Sequence, residues 1–574
     1  MTGKAAIYVM SRQPEAGAPR PAAGPNPFRG TTAATIPCHA ADCAGLDVFA
    51  GCAARVTHHL DDATGRAVYL VGRAWHPAVS HESLPKWCAQ TLDDDPSAFR
   101  SLLGAFVMVI DDRRTKRVTF VTDPLGLLPW FVGANGGRLV AGSDVLGICD
   151  AGLSSGQVDF DSVASWLCYS FVAAGGSIVR DYRRLPGGTV ASFEKDGRLV
   201  SETRYATLKY VRNVVPPEEL IEGLYDRVSA AFERMVRGVD EVNVPLSGGY
   251  DSRLMCALAA EHGRLKVNVT VVESTPAEVL LAKQVAAALG LPLRVLPVGA
   301  RVVDLFDDPL DFIAEGFPVP RNLTNAVARL HPGMPLLSGF MGDAVMRGPI
   351  KSTQREFLAQ DDNRLDDDGL ARAANERFLI RTNRLGLLRQ PVGSRAVARG
   401  MGCLLPFIRQ ARDAGRPLAF ANLHLRHRLY FATIFLSHLD VADALIPFTS
   451  WELIEYHARH NGSFAPDTYD RLFRRFFPAL AHIPHSSQVS AKSGVNGTAA
   501  PTPRHLRRWG RELLRGVPGG WTRTAIAPRK LLKRLPGALL LRSRHPDEIG
   551  YLHRIHAFEE RLARANVGLN WSLV

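Results

Sequence analysis

Between about residues 45 and 205, apolar residues come in short runs broken by turn residues: RAVYLVGRAW, GAFVMVIDDRRTKRVTFVTD, GRLVAGSD and GGTVASFEKDGRLVSETRY. β-Branched and aromatic side chains fill these runs, which predicts strands, and the charged IDDRRTKR between two of them predicts a hairpin loop. Only short helices, such as Leu84 to Gln90, interrupt this pattern. After Pro216 the period lengthens. EELIEGLYDRVSAAFERMVRG spaces its apolar residues as an amphipathic helix does. The short apolar runs VNVPL, KVNVTVV and PLRVLPV then alternate with the helical DSRLMCALAAEHG and PAEVLLAKQVAAALG. That alternation predicts a doubly wound parallel α/β sheet, with ligands at the carboxyl ends of its strands. From about 355 to 480 the chain reads as helices with Arg on their polar faces, while residues 13 to 34 and the last hundred are rich in Pro and Gly. Three regions are expected: a β-rich domain over 1–210, an α/β domain over 211–485, and an Arg/Pro-rich extension over 486–574.

Composition narrows this picture. A chain of 574 residues exceeds one core, and 46% hydrophobic with 22% charged residues is ordinary soluble globular material. No apolar run approaches the ~20 residues of a membrane span, and the start lacks a basic stretch followed by a long apolar one, so a cytoplasmic location is expected. The eight cysteines include no C-x-x-C pair. Cys38, Cys43 and Cys52 with His39 come nearest to a metal set, but scattered reduced thiols account for them, and no structural metal is expected. Of the +13 net charge, +11 lies between Arg504 and Arg544, where twelve Lys or Arg face the single acid Glu512. With only Trp509 and Trp521 to stack on bases, this segment suits a surface or subunit contact, as in a homodimer, better than a nucleic acid.

The stretch VPLSGGYDSR, Val244 to Arg253, leaves a strand and enters a helix. Bare of Cβ atoms, Gly248 and Gly249 let backbone N–H groups approach a ligand, and the helix N-terminus beyond adds partial positive charge. That combination suits phosphate. Asp251 would repel an anion, but it suits the Mg²⁺ that accompanies a nucleotide. A tight turn capped by Asp251 is the structural alternative; the full S-G-G-x-D-S at a strand–helix junction favours the nucleotide.

This loop resembles the pyrophosphate loop of ATP pyrophosphatases, and the chain around it is similar to asparagine synthetase and its relatives. The Walker pattern G-x-x-x-x-G-K-S/T is absent. The resemblance implies an adenine-nucleotide alpha hydrolase-like sheet with helical additions, cleavage of ATP to AMP and pyrophosphate, and adenylation of a carboxylate that ammonia or an amine then attacks. It places Leu246, Ser247, Gly248, Gly249, Asp251, Ser252 and Val272 around ATP. PAEVLLAKQVAAALG resembles the family's glutamate-x-x-x-alanine helix and adds Glu278. LLSGFMGDAVMRG resembles its S-G-E-G-x-D-E segment, adding Ser338 and Gly339, with Asp343 as the second Mg²⁺ carboxylate beside Asp251. Phe340 and Ala344 stand where the family usually has glutamates, which bears on the substrate more than on ATP. ADALIPFTSWELIEY resembles E-x-R-x-P-F-L-D: Pro447 and Phe448 match, Asp443 replaces the glutamate and Leu445 the arginine. A helix-capping turn packed on the core explains that segment equally, and no catalytic role is assigned to it. YDRLFRRFFPALAHIP resembles the end of the synthetase domain, beyond which the family places a catalytic lysine; Lys492 is the lysine close by. Arg253, where simple asparagine synthetases usually have a small residue, marks a divergent branch.

The β-rich third resembles the family's class II glutamine amidotransferase domain, an α+β fold built on a β-sandwich of the Ntn-hydrolase type. LLGAFVMVIDD is similar to L-x-G-x-F-A, TDPLGLLPWFVG to R-D-x-x-G-x-x-P-L-Y-Y, and RLVAGSD to f-x-S-E; with RRLPGG the resemblance runs from about residue 66 to 485. The family's glutaminase needs an N-terminal cysteine, but position 2 is Thr2 and no cysteine precedes Cys38. VGRAWHP presents His76 where the resemblance calls for an asparagine that donates to the oxyanion. One such donor is worth ~10² to 10³ in rate, so an inactive glutaminase is expected. Thr2 could serve as nucleophile only with Met1 removed and a complete donor set. The expected function is an AMP-forming amide ligase using ATP and Mg²⁺ on a small-molecule or peptide carboxylate, with ammonia or an amine as acceptor. Three alternatives stand beside it. One is an intramolecular cyclase resembling β-lactam synthetases or lasso-peptide cyclases, and another a PP-loop protein acting on RNA. The third is an inactive binding scaffold, to which Phe340, Ala344 and Leu445 point.

Overall fold

The computed structural model describes residues 7–11, 31–32, 46–51, 56–173, 175–211, 213–273, 276–297, 327–328, 330–346, 364–370, 373, 392–432, 442–486 and 562. Thr2, Cys38, Cys43, Cys52, Lys492 and the basic segment 504–544 lie outside them.

Twelve N-terminal strands form two antiparallel sheets. They are β1 (Ile7–Ser11), β2 (Thr31–Thr32), β3 (Leu46–Gly51), β4 (Val56–Asp61), β5 (Arg66–Trp75), β6 (Leu103–Asp112), β7 (Arg117–Thr122), β8 (Phe131–Asn135), β9 (Arg138–Gly142), β10 (Tyr182–Arg184), β11 (Thr189–Glu194) and β12 (Leu199–Arg204). The sheet orders are β10-β8-β9-β1-β3-β2 and β12-β11-β7-β6-β5-β4. Period-two alternation decides what each face meets. In β1, Ile7 and Val9 join the core that contains Val68 and Leu70 of the other sheet. Tyr8 and Met10 point the opposite way, into a second core with Trp166 and Leu404. The expected IDDRRTKR loop is present between β6 and β7: the Asp112 carboxylate accepts from the N–H groups of Arg114 (2.9 Å) and Thr115 (3.0 Å).

The described helices are α1 (Leu84–Asp94), α2 (Val145–Asp150), α3 (Phe160–Tyr169), α4 (Pro217–Val236), α5 (Tyr250–Glu261), α6 (Pro276–Ala288), α7 (Gly342–Val345), α8 (Val392–Gln410), α9 (Pro417–Ala421), α10 (Trp451–Arg459) and α11 (Thr468–Phe476). None is long and apolar enough to cross a membrane. In α4 the predicted stripe is realised, with Leu220, Leu224, Val228, Ala231 and Met235 buried. Asn422–Phe431 continues α9 as a π-helix.

Five strands form the parallel sheet: β13 (Glu241–Pro245), β14 (Lys266–Glu273), β15 (Leu293–Pro297), β16 (Leu336–Leu337) and β17 (Ala444–Leu445), in the order β15-β14-β13-β16-β17. After β14 and β15 are laid outward from β13, the chain returns to the other side of β13 with β16 and β17. That reversal opens a crevice beyond the carboxyl ends of β13 and β16, where such sheets take ligands. The expectation of helices throughout 355–480 is corrected at one point. Ala444–Leu445 is a strand, because it completes the sheet beside β16, pairing Leu337 with Leu445.

Candidate active site

Val244 is buried at the sheet's centre, and the N–H of Leu246 still donates to Thr270 O (2.9 Å). The chain then turns. Ser247 N donates to Ser252 Oγ at 3.0 Å, and the two hydroxyl oxygens lie 2.9 Å apart, so both serines of the motif tie the loop to the first turn of α5. Gly249 caps the helix with φ −87°, an ordinary value, so the glycines are not there for left-handed backbone. Gly248 is required by proximity: a Cβ there would lie 2.7 Å from Ser486 Cβ and 3.1 Å from Leu281 Cδ1. Asp251 does not cap the helix but stands in its first turn.

Asp251 is met from two directions. Tyr469, in α11, donates its phenol hydrogen to Asp251 Oδ1 at 2.6 Å, while Tyr250 donates to Asp470 Oδ1 at 2.5 Å. The two rings stack with centroids 5.3 Å apart. Two Tyr-Asp dipeptides thus exchange hydrogen bonds between α5 and α11. From the other side, a Cβ on Gly342 would lie 2.6 Å from Asp251 Cγ, and one on Gly339 2.7 Å from the Asp251 carbonyl carbon and Ser252 N. These glycines let the 338–343 segment close onto the start of α5, which brings the neighbourhood of Asp343 to Asp251.

Asp343 lies in the first turn of α7 with its side chain half exposed, and its Oδ1 is 3.8 Å from Nδ1 of the buried His427 in the π-helix. Ser338 is held by its N–H to Leu445 O (2.9 Å), and its hydroxyl accepts from Phe340 N (3.2 Å). Phe340 and Ala344 pack partly buried against the main core. Between them Met341, buried, has φ +69°, where the S-G-E-G-x-D-E pattern places glycine. Left-handed backbone at a non-glycine residue costs ~1–2 kcal/mol. Glu278 stands in the first turn of α6, where burial raises its carboxyl above the usual range, and Val272 is buried in β14.

Among the described residues no three or more His, Cys, Asp or Glu gather as a metal cage. Asp251 and Asp343 still fit Mg²⁺, an ion usually held by one or two carboxylates while phosphate and water complete its shell.

In the N-terminal sheets, His76 Nδ1 accepts from the N–H groups of Ala78 and Val79, both at 3.1 Å, and its ring packs 4.8 Å from that of Trp87. It ties a turn. Burial, then the charge of Arg234, lowers its pKa.

Sequence reasoning passed over Tyr469, His427 and the partners of Arg253. One signal was available for Tyr469: of the three YD dipeptides, Tyr225-Asp226 lies inside α4, whereas Tyr250-Asp251 and Tyr469-Asp470 both stand at helix starts.

Antiparallel sheets followed by a parallel sheet, with S-G-G-Y-D-S at the point where strand order reverses, define a mixed α/β protein with a candidate phosphate loop. Family models match in the same order: a glutamine amidotransferase domain over residues 93–206 and asparagine synthase over 223–433. The chain belongs to the asparagine synthetase family, as a divergent member. Proteins of Mycobacterium bovis and Mycobacterium tuberculosis named "Putative asparagine synthetase", glutamine-hydrolyzing, are 24% identical to it over 284 residues. The match takes in 45% of this chain and 42% of theirs, so the chain spans less than half the length of these relatives. Two solved structures are also similar. Glutamine phosphoribosylpyrophosphate amidotransferase from B. subtilis, complexed with ADP and GMP, is 12% identical over 50% of this chain and 58% of that one, with a TM-score of 0.19. The allosteric regulatory enzyme of purine biosynthesis is 11% identical over 52% and 75%, with a TM-score of 0.22. At these scores neither likeness bears on fold or function.

Proposed function

We propose that this chain is an ATP-dependent, AMP-forming amide ligase. It activates a small-molecule or peptide carboxylate and passes it to ammonia or an amine. The observation that carries the reading is the closure of Gly339 and Gly342 onto Asp251, which joins the Ser247–Gly249 loop to the Asp343 segment at the reversal of the sheet. In this reading the Gly248 N–H and the start of α5 hold the pyrophosphate, since the Ser247 and Gly249 N–H groups donate to Ser252 Oγ and Ser247 Oγ. Leu246 and Val272 border the adenosine, and Glu278, Ser338 and Gly339 complete the nucleotide site. Asp251, oriented by Tyr469, and Asp343 would hold Mg²⁺, which when bound would supply positive charge against the pyrophosphate. Lys492 is the proposed catalytic lysine.

The divisions are 1–210, an Ntn-type amidotransferase-like domain; 211–485, an ATP-pyrophosphatase domain; and the extension 486–574. We take the glutaminase to be inactive. His76 stands where the family places the oxyanion-donating asparagine, and its Nδ1 is committed to the 76–79 turn by the N–H groups of Ala78 and Val79. The amine then comes from solution or from the substrate itself. Phe340 and Ala344, where the family has glutamates, pack partly buried against the main core and offer no carboxylate to a substrate, so the carboxylate activated differs from that of the usual family member.

Labelled pyrophosphate should exchange into ATP when the protein is given Mg²⁺ and a carboxylate library, and Asp251→Ala should abolish the exchange. Absence of exchange with every acid would favour a binding scaffold. Glutamate release from glutamine, if robust, would show that the amidotransferase-like domain is active.

A further inference from the structure

Arg253 follows the S-G-G-Y-D-S motif and is fully buried in α5. Its guanidinium donates from Nη1 to Ile483 O at 2.6 Å and from Nη2 to Pro484 O at 2.9 Å, and it lies over the rings of Tyr250 (5.2 Å) and Phe473 (5.7 Å). Burying a cation on two carbonyls is costly, and here burial lowers the arginine's pKa against the opposing pull of Tyr250 and Asp470. The two carbonyls it holds immediately precede His485 and Ser486. Ser486 N donates to Gly248 O (3.0 Å), and Ser486 is the residue that excludes a side chain at Gly248. The His485 ring sits 4.6 Å from that of Tyr250, with Nε2 3.9 Å from the point a Gly249 Cβ would occupy. Residues 483–486 therefore form a strap fastened at one end to a buried guanidinium and at the other to the glycine loop.

We infer that Arg253 is a positioning residue for the anion site: by fixing the carbonyls of Ile483 and Pro484 it seats His485 and Ser486 against Gly248–Gly249, so that loop and strap together form the pyrophosphate-binding wall. The inference rests on the reading of the loop as a nucleotide site. An arginine suits this task where a lysine does not, since a planar fork satisfies two adjacent carbonyls at once.

The test is equilibrium binding of labelled ATP, with Mg²⁺ and without any carboxylate, to the full chain and to Arg253→Lys, His485→Ala and the double variant, each with its thermal midpoint. Arg253→Lys keeps the charge and guards against the misfolding that Arg253→Ala risks. Each single change should weaken ATP binding about tenfold, and the double variant should bind no worse than the weaker single one, because both act through one strap. Wild-type ATP affinity in a folded Arg253→Lys protein overturns the inference, as do losses that multiply in the double variant. If the wild-type chain itself binds no ATP, the nucleotide reading fails first and takes this inference with it.

Discussion

Tyr469 donates to Asp251 Oδ1 at 2.6 Å from a position 218 residues further along the chain, so the orientation of the proposed metal carboxylate depends on a contact that only folding creates. Groups that orient a ligand typically change metal affinity by ~10–100-fold when removed. Tyr469→Phe keeps the ring stacked on Tyr250 and removes only the hydroxyl. It should raise the Mg²⁺ concentration for half-maximal ATP binding about tenfold while moving the thermal midpoint little. A magnesium titration of ATP binding checks this; an unchanged half-saturating Mg²⁺ concentration would show that Asp251 does not need the phenol. At this scale the sequence displayed the local half of the site. The placement of Ser247, Gly248 and Asp251 at a strand–helix junction was legible because a single turn holds them. Tyr469, His427 and the strap were not, because their roles come from approach in space.

The same division holds for elements. β13, β14 and β15 were legible as apolar runs between helical periods, whereas β16 and β17 have two residues each, too few to show any period. Yet these short strands place Ser338 and Leu445, and the glycines beyond β16 decide whether the site closes. Gly339→Ala would set a Cβ 2.7 Å from the backbone of Asp251 and Ser252, which cannot yield without moving the start of α5. It should cost ~1–3 kcal/mol of stability and abolish ATP binding, as measured by urea unfolding and labelled nucleotide. Two glycines of α8 provide a contrast, since the helix alone favours alanine at both. A Cβ on Gly402 meets nothing within 4 Å, so Gly402→Ala should stabilise by ~0.5–1 kcal/mol. A Cβ on Gly400 would lie 3.1 Å from Cys168 Sγ, so Gly400→Ala should gain less or destabilise. Equal shifts at both positions would mean that α8 does not pack on α3 as closely as the distances indicate.

Across the whole molecule, the amidotransferase-like and synthetase-like regions meet through a buried charge. The TDPLG turn was legible as a family pattern, but its physical task was not: the Asp123 carboxylate accepts from the N–H groups of Leu125 (3.1 Å), Leu127 (2.9 Å) and Leu128 (3.1 Å). Full burial pushes its pKa up to about 6, against the opposing pull of those N–H groups and of Arg428. Arg428 belongs to the π-helix that also carries His427 toward Asp343, and its Nη2 comes within 2.9 Å of the point a Gly126 Cβ would occupy. The sign follows from the raised folded-state pKa. The neutral carboxyl is the form the fold prefers, so this group's stabilisation is complete below about pH 4 and is lost as pH rises through about 6. A displacement of about two pH units corresponds to ~3 kcal/mol. Arg428→Gln removes the cation that favours the charged form. It should therefore carry the folded-state pKa of Asp123 above 6 and deepen the fall in stability between pH 5 and pH 8, while leaving stability at pH 4 nearer to wild type. Urea unfolding midpoints across that range, with Asp123→Asn as the variant in which this pH dependence disappears, measure the effect directly. Parallel pH profiles for wild type and Arg428→Gln would show that the two regions are not coupled through this pair.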